Sequence, residues 1–261
     1  MTAIALVGTK RTLRVVERNV RSYARMWPAF LTGFLEPIFY LFSIGIGVGE
    51  LVGDLPGPGG HPVSYELFVA PAMLATSAMN GTVFDTTFNF FFKYKYAKTF
   101  DGMLATPLGV ADIARGELAW ALLRGTIYVA GFLLTMIALD LVESWWALLA
   151  LPAAALIGFA FAGAGLGLTT YMRSFTDFAY VGLAITPLFL FSATFFPLSE
   201  YPGALAWFVR ISPLYQGVAI ERALVLGDVS WSLIGHAAYL AAMGVFGLRL
   251  ATRRLGFLLQ P

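Results

Sequence analysis

The sequence predicts an all-α integral membrane protein: six transmembrane helices, an N-terminal amphipathic interface helix, and short re-entrant or external helices between spans five and six. Three observations carry that reading. Of 261 residues, 59% are hydrophobic and 12% charged, about half the charge of a soluble domain, and the mean hydropathy is +0.76. Apolar stretches long enough to cross a hydrocarbon core of about 30 Å, which takes roughly 20 helical residues, recur along the chain. The Lys and Arg residues, finally, are confined almost entirely to alternate connections, as expected of a fixed orientation in a bilayer. Six crossings occupy roughly half of the sequence, which leaves short connections and no room for a separate soluble enzyme domain.

Residues 1–27 are the first element. Six basic residues are spread through them, and no small-residue cleavage site follows a compact apolar core, so they are expected to form a helix and not a cleavable signal peptide. At about 100° per residue, Leu13, Val16, Val20, Tyr23 and Trp27 fall within an arc of about 80°, while Arg14, Arg18, Arg21 and Arg25 gather on the other side. An apolar stripe backed by arginines suits a helix lying in the membrane interface against anionic headgroups. An amphipathic helix packed on a protein partner is the alternative, and the two are compatible.

Span one is expected over residues 28–48 and span two over 67–92, separated by the turn-rich segment Gly53-Asp54-Leu55-Pro56-Gly57-Pro58-Gly59-Gly60. Spans three (118–141) and four (145–172) are joined by a very short acidic connection through Asp140 and Glu143 and form a helical hairpin. Span five covers 178–196 and the last span 231–250, ahead of a short basic tail. Between 197 and 230 the chain is apolar but interrupted by Pro197, Pro202, Gly203, Pro213, Gly217 and Gly227. The pieces Ala204–Ile211 and Leu214–Leu226 are too short to cross, so they are expected to be interfacial or re-entrant.

Orientation follows from the cations. With the N-terminus cytoplasmic, 14 of the 17 Lys and Arg residues fall on that side, Arg210 and Arg222 fall outside, and Arg124 lies within span three. Both termini are therefore placed in the cytoplasm. No cysteine is present, which excludes disulfides, thiolate metal sites and a cysteine nucleophile, and His61 and His236 are too far apart for a local metal motif. No metal or catalytic residue is expected, and there is no nucleic-acid signature.

The longest cytoplasmic connection, residues 93–117, mixes charge with apolar groups. Phe100, Met103 and Leu104 have the i, i+3, i+4 spacing of a short amphipathic turn that Pro107 would terminate. Spacing alone leaves two readings equal: a plug for a groove on another protein, or a loop folded back on the membrane surface.

Longer strings point to a family. Glu36-Pro37-Ile38-Phe39-Tyr40-Leu41-Phe42 followed by Gly45-Ile46-Gly47-Val48-Gly49, then Pro71-Ala72-Met73-Leu74-Ala75-Thr76-Ser77-Ala78-Met79, then Phe100-Asp101-Gly102-Met103-Leu104-Ala105-Thr106-Pro107-Leu108 leading to Asp112-Ile113 and Gly116-Glu117, and finally Phe191-Ser192-Ala193-Thr194-Phe195-Phe196-Pro197-Leu198 and Ser212-Pro213-Leu214 occur in an order and spacing that resembles the permeases of ABC-2 type exporters. The resemblance covers nearly the whole chain and is nearer to the branch that includes nodulation-factor (lipo-chitooligosaccharide) exporter and daunorubicin-resistance permeases. It implies a permease homodimer in a bacterial plasma membrane with two copies of a separate ABC ATPase beneath it. A short helix between spans two and three would insert into each ATPase. Thr99, Phe100, Asp101, Met103, Leu104, Ala105, Thr106 and Pro107 occupy that place, and the N-terminal helix would add contacts with lipid and ATPase. ATP and Mg would belong to the partner, since this sequence has no G-x-x-x-x-G-K-[ST] phosphate loop. The expected cargo is amphipathic: a lipid, a glycolipid or lipooligosaccharide, or a hydrophobic drug.

Ionisable groups inside spans are costly and mark pairs or pathways. Glu36, Asp85, Glu117 and Arg124 are the candidates. Glu117 and Arg124 lie two turns apart on one face, so each is expected to meet another partner, and Glu36 precedes Pro37, where a backbone bond is missing and the carboxyl would brace the helix. Structural pairing near the cytoplasmic end is the preferred reading, with substrate contact as the alternative. Gly158, Gly163, Gly165 and Gly167 suit close helix packing within the subunit, with a dimer interface as the other use. The rings of Phe39, Tyr40, Phe189, Phe195 and Phe196 are pathway candidates on spans that line the pathway in the family. Two other functional classes stay open at this stage: an ion- or proton-coupled secondary transporter using the intramembrane carboxylates, and a membrane scaffold without transport.

Overall fold

The computed structural model describes residues 10–24, 35, 37–57 and 61–259, so the candidates Arg25 and Glu36 lie outside the described residues, as does most of the first part of predicted span one. Helix α1 (Lys10–Tyr23) is the predicted interface helix. An apolar helix α2 (Pro37–Val52) follows. A two-residue hairpin pairs β1 (Leu55–Pro56) with β2 (Pro62–Val63) across the glycine- and proline-rich loop, helped by the positive φ of Gly53 (+72°). Then come α3 (Tyr65–Tyr96), the short α4 (Thr99–Leu104), α5 (Val110–Ala138), α6 (Trp145–Thr169), α7 (Phe175–Leu190), α8 (Gly203–Ile211), α9 (Pro213–Leu226) and α10 (Ser232–Leu259).

Local chemistry sets the helix ends. The Ser64 hydroxyl accepts from the Leu67 N–H at the start of α3, and the Asp112 carboxylate accepts from the Gly109 N–H at the start of α5 at 3.1 Å. Asp177 accepts from the backbone N–H groups of Arg173 and Ser174 at 2.7 and 3.2 Å ahead of α7. Each side chain satisfies donors that a helix start leaves unpaired. Pro213 opens α9, and Gly227 closes it at φ +87°, the asymmetry expected of helix termini.

Among the described residues, α3, α5, α6 and α10 are long and apolar enough to cross a membrane, whereas α2 and α7 are shorter. Several predicted boundaries move. The helix predicted over 178–196 stops at Leu190, because Pro187 donates no hydrogen bond in the last turn and Ala193 turns the chain at φ 55°. Conversely, α3 runs on to Tyr96 and α5 begins at Val110, so the predicted 93–117 connection is helical at both ends. A hydropathy window marks where the membrane ends, and a helix whose hydrogen bonds are internal continues into water.

Helix α6 sits at the centre, packed against α3, α5 and α10. Its glycines are contact points within the subunit. A Cβ at Gly163 would lie 2.4 Å from the carbonyl oxygen of Gly244, and one at Gly247 would lie 2.3 Å from the carbonyl carbon of Gly163. The α6–α10 contact is therefore backbone against backbone. On the other face, a Cβ at Gly158 would meet the Thr82 methyl at 3.0 Å, and one at Gly165 the Thr86 hydroxyl at 2.4 Å, so α3 is seated equally closely. The sequence reading had singled out the α6 glycines but not their partners Gly244 and Gly247. Gly163→Val is expected to lower stability by about 1–3 kcal/mol by forcing α6 from α10, measured by thermal unfolding in detergent. Gly235→Ala, in the same α10 but with nothing within 4 Å of the added carbon, is expected to leave stability unchanged or raise it by up to about 1 kcal/mol.

Candidate functional site

Three elements meet at one end of the molecule: helix α1, the C-terminal half of α3 and the N-terminal half of α5. Helix α1 packs on α5 through Thr12, Val15 and Asn19, and Gly116 admits Val15, whose Cβ would lie 2.4 Å from any Cβ placed there. This face differs from the predicted apolar stripe. Leu13 (59% exposed) and Val20 (44%) point away from the protein, on an arc next to the packed one, which leaves them for lipid while Thr12, Val15 and Asn19 serve the protein. Arg14 and Arg21 flank Glu17 at 3.0 and 2.6 Å on the exposed side, pairs worth a few tenths of a kcal/mol, and Arg18 donates to Asn19 Oδ1 at 3.3 Å.

Helix α3 widens where the charges begin. Residues Asp85–Asn89 form a π-helical turn, and the Phe90 N–H reaches the Asp85 carbonyl. Such turns leave carbonyls to be satisfied from outside, and here the Thr169 hydroxyl of α6 donates to the Thr86 carbonyl at 3.0 Å. Thr82, Thr86 and Thr87 return their own hydroxyls to carbonyls one turn back at 2.7–2.8 Å, a bond that bends helices.

From this bend, Asp85 Oδ1 accepts from Arg124 Nη1 at 2.7 Å, from the Tyr23 hydroxyl at 3.4 Å and from the Asn89 amide. Arg124 Nε donates to the Tyr128 hydroxyl at 2.8 Å, and its guanidinium lies 5.3 Å from the ring centres of both Tyr23 and Tyr128. Two turns further along α3, Lys93 Nζ donates to Glu117 Oε2 at 2.7 Å. Asn19 bridges that pair, donating to Glu117 Oε1 at 3.0 Å and accepting from Lys93 at 3.1 Å. The structure thus brings together Asp85, Glu117 and Arg124 and adds Lys93, Tyr23, Asn19 and Tyr128, which sequence reasoning missed. The signal was present: Asp85 and Lys93 are eight positions apart and Glu117 and Arg124 seven, so antiparallel helices align both pairs over about 11–12 Å. Burial beside Asp85 pushes the Tyr23 hydroxyl above its ordinary value, which keeps it a neutral donor at physiological pH.

The α4 segment is turned the other way from its predicted use. Phe100 and Met103 are buried. Phe100 packs at a tilt against Phe90, ring centres 5.0 Å apart, in a cluster with Val15, Ile113, Leu248 and Leu255, and Leu104 is half-buried. The apolar i, i+3 pair packs inward, because its own subunit offers the nearest apolar surface and burying a ring there gains about 2–3 kcal/mol. What α4 presents outward is Asp101, Gly102, Ala105, Thr106 and Pro107, with Thr99 at the margin. Lys98 starts the turn at φ 49°, and the Thr106 hydroxyl donates to the Met103 carbonyl at 2.6 Å, folding the tip.

A cavity of about 470 Å³ opens between α2, α3, α5 and α7, lined among others by Tyr40, Asn80, Phe84, Arg124, Tyr128 and Phe178. Of the five pathway rings named from the sequence, Tyr40 lines it. Phe189 packs tilted against Tyr40 (5.5 Å) and edge-on against Phe195 (5.1 Å) and is not in the cavity lining, while Phe39 and Phe196 are exposed. The predicted faces rested on ring content alone, and the rotation of α2 and the early end of α7 decide which rings face inward.

At the opposite end of α3, Arg222 of α9 is buried and donates to the Phe68 carbonyl of α3 at 3.1 and 3.0 Å and to the Ala193 carbonyl after α7 at 2.9 Å. It lies 3.7 Å from the Phe68 ring centre. Arg222 thereby ties α9 to the first turn of α3 and to the turn that follows α7. The adjacent Glu221 is fully buried, and among the described residues neither of its carboxyl oxygens meets a donor.

Residues 11–226 match the model of the ABC-2 type transporter family. The chain belongs to that family. It is 33% identical to Nodulation protein J of Rhizobium meliloti (strain 1021) over 252 residues, covering 95% of this chain and 94% of that one. It is 34% identical to Nodulation protein J of Rhizobium leguminosarum bv. trifolii over 251 residues, with the same coverage of each. To the protein of that name in Neorhizobium galegae it is 30% identical over 256 residues, 95% of each chain. The polar seam and the cavity share Arg124, so the arrangement joins α1 to the pocket.

Asp85→Ala strands Arg124 and is expected to cost about 3–5 kcal/mol, while the double variant Asp85→Leu/Arg124→Met recovers most of that loss. Thermal unfolding of the purified protein checks both, and a double variant no more stable than the single one contradicts the pair as the unit. Glu221→Met, which removes two buried acceptors without donors, is expected to raise stability by about 1–3 kcal/mol in the same assay.

Proposed function

We propose that this chain is the permease subunit of an ABC exporter that moves an amphipathic lipid, glycolipid or lipooligosaccharide, or a hydrophobic drug, outward across a bacterial plasma membrane. Membership of the ABC-2 transporter family supports a membrane subunit of such a transporter, with ATP hydrolysis in a partner ABC ATPase. The observation that carries the mechanistic reading is the continuity from the α4 tip to the cavity. Phe100 anchors α4 in the same cluster as Val15 of α1. Helix α1 in turn holds both ion pairs through Asn19 and Tyr23, and Arg124 of the outer pair lines the cavity.

In this reading two permeases form the pathway and two ATPases bind beneath them, holding ATP and Mg. Each ATPase grips the exposed tip at Asp101, Ala105, Thr106 and Pro107. Movement of the tip displaces α1 and tilts the inner ends of α3 and α5, with the widened turn at Asp85–Asn89 as the place where α3 yields. Six crossings with cytoplasmic termini place α1 in the inner interface, where Leu13 and Val20 meet acyl chains and Arg14, Arg18, Arg21 and Arg25 meet anionic headgroups. The sequence resemblance to the nodulation-factor and daunorubicin-resistance branch is the ground for naming both a saccharide-bearing lipid and a hydrophobic drug as cargo.

The test is reconstitution with the partner ATPase in liposomes. Thr106→Glu and Ala105→Asp are expected to lower ATP-driven export at least tenfold with the permease still folded, whereas Phe100→Asp is expected to lower thermal stability by about 3–5 kcal/mol. Export that persists without ATPase under an ion gradient, or full coupling in the tip variants, overturns the proposal.

A further inference from the structure

The cavity wall is electrically one-sided. Among its described lining residues, Arg124 is the charged one. Its partner Asp85 does not line the cavity and is the more deeply buried of the two, with side-chain exposures of 2% and 9%. The ion pair is thus a dipole whose positive end faces the pocket. Beside the guanidinium stands the Tyr128 hydroxyl, which accepts from Arg124 Nε at 2.8 Å; Asn80 also lines the cavity, and α7 supplies Phe178, Val181 and Ile185. The lining therefore offers a cation and polar groups together with an apolar surface for a chain. The volume, about 470 Å³, falls within the range of small-molecule sites, roughly 300–1,000 Å³.

Resting on the reading of this cavity as the cargo site, we propose that it takes amphipathic molecules whose head carries an acidic oxygen group, a carboxylate, phosphate or sulfate, and that Arg124 exchanges Asp85 for that group. The exchange does not leave Asp85 bare. Its Oδ1 also accepts from the Asn89 amide and the Tyr23 hydroxyl, so two donors stay behind when the guanidinium turns. A guanidinium binds planar or tetrahedral oxyanions through paired N–H groups, and in a site walled by aromatic and aliphatic side chains that contact is weakly screened. A neutral amphipath would gain the apolar wall but not the exchange, so acidic molecules are selected by their heads and accommodated by their tails. The Tyr23 bond gives the seam a part in loading, because displacing α1 withdraws one of the donors that Asp85 falls back on and drives Arg124 back to Asp85. Cargo binding and α1 position are thereby opposed.

The experiment uses the full-length permease in phosphatidylcholine nanodiscs and three probes: a lysophosphatidic acid, the monoacylglycerol with the same chain, and inorganic phosphate. Equilibrium binding with radiolabelled probes is expected to give at least tenfold tighter binding for lysophosphatidic acid than for monoacylglycerol, and none for phosphate at millimolar concentration. Arg124→Gln abolishes the difference between the two lipids, Arg124→Lys keeps part of it, and Asp85→Asn tightens lysophosphatidic acid binding several-fold. Opposite effects at Asp85 and Arg124 separate ligand contact from structure, since a structural pair loses binding from either side. Equal affinity of the two lipids for the unmodified protein, phosphate binding as tightly as the lipid, or weakening in Asp85→Asn as large as in Arg124→Gln, overturns the proposal. ATP-driven export unaffected when Gly182→Trp fills the cavity and abolishes lysophosphatidic acid binding overturns the cargo reading while the acidic-head site stands.

Discussion

A charged side chain placed among apolar helices costs several kcal/mol unless a partner and further hydrogen bonds meet it, and this chain does so four times between α3 and α5. Asp85 pairs with Arg124 and Lys93 with Glu117, two antiparallel rungs that hold one register. A slip of α3 along α5 by a single residue would turn one partner of each rung through about 100° and strand both charges. The buried charges therefore specify the register more than they stabilise it. The threonine bonds, the π-helical turn and the reach of Thr169 from α6 follow from the need to aim Asp85 at this seam.

The seam also explains why α1 is part of the membrane domain and not an ornament on it. Asn19 and Tyr23 supply donors and acceptors that the two rungs would otherwise lack, and Gly116 lets Val15 close enough for those bonds to form. The helix has three distinct faces: a packed one of small and polar residues, an apolar one left for lipid, and a charged one where Arg14 and Arg21 bracket Glu17. Phe100 lies in the same buried cluster as Val15 of that helix, together with Phe90 of α3 and Ile113 of α5, so α1 and α4 are packed as one unit on these two helices. At the other end of α3 the same problem is met differently. Arg222 answers backbone carbonyls in place of a carboxylate, tying α9 to the start of α3 and to the turn after α7.

By itself the sequence determined the membrane class, the order of the helices and the family, because these depend on composition, local hydropathy and strings of residues that can be read in a line. It also marked Asp85, Glu117 and Arg124 as costly and Gly163 and Gly167 as contact points. Only the tertiary structure decided what those residues meet: that Phe100 is an anchor and Thr106 part of the exposed tip, that Tyr40 lines the cavity while Phe39 and Phe196 do not, and that Gly163 faces Gly244. The physical reason is that a periodic pattern gives the angle between side chains on one helix but not the rotation of that helix against its neighbours. That rotation is set by close packing and by pairing buried charges across distances the chain order does not contain.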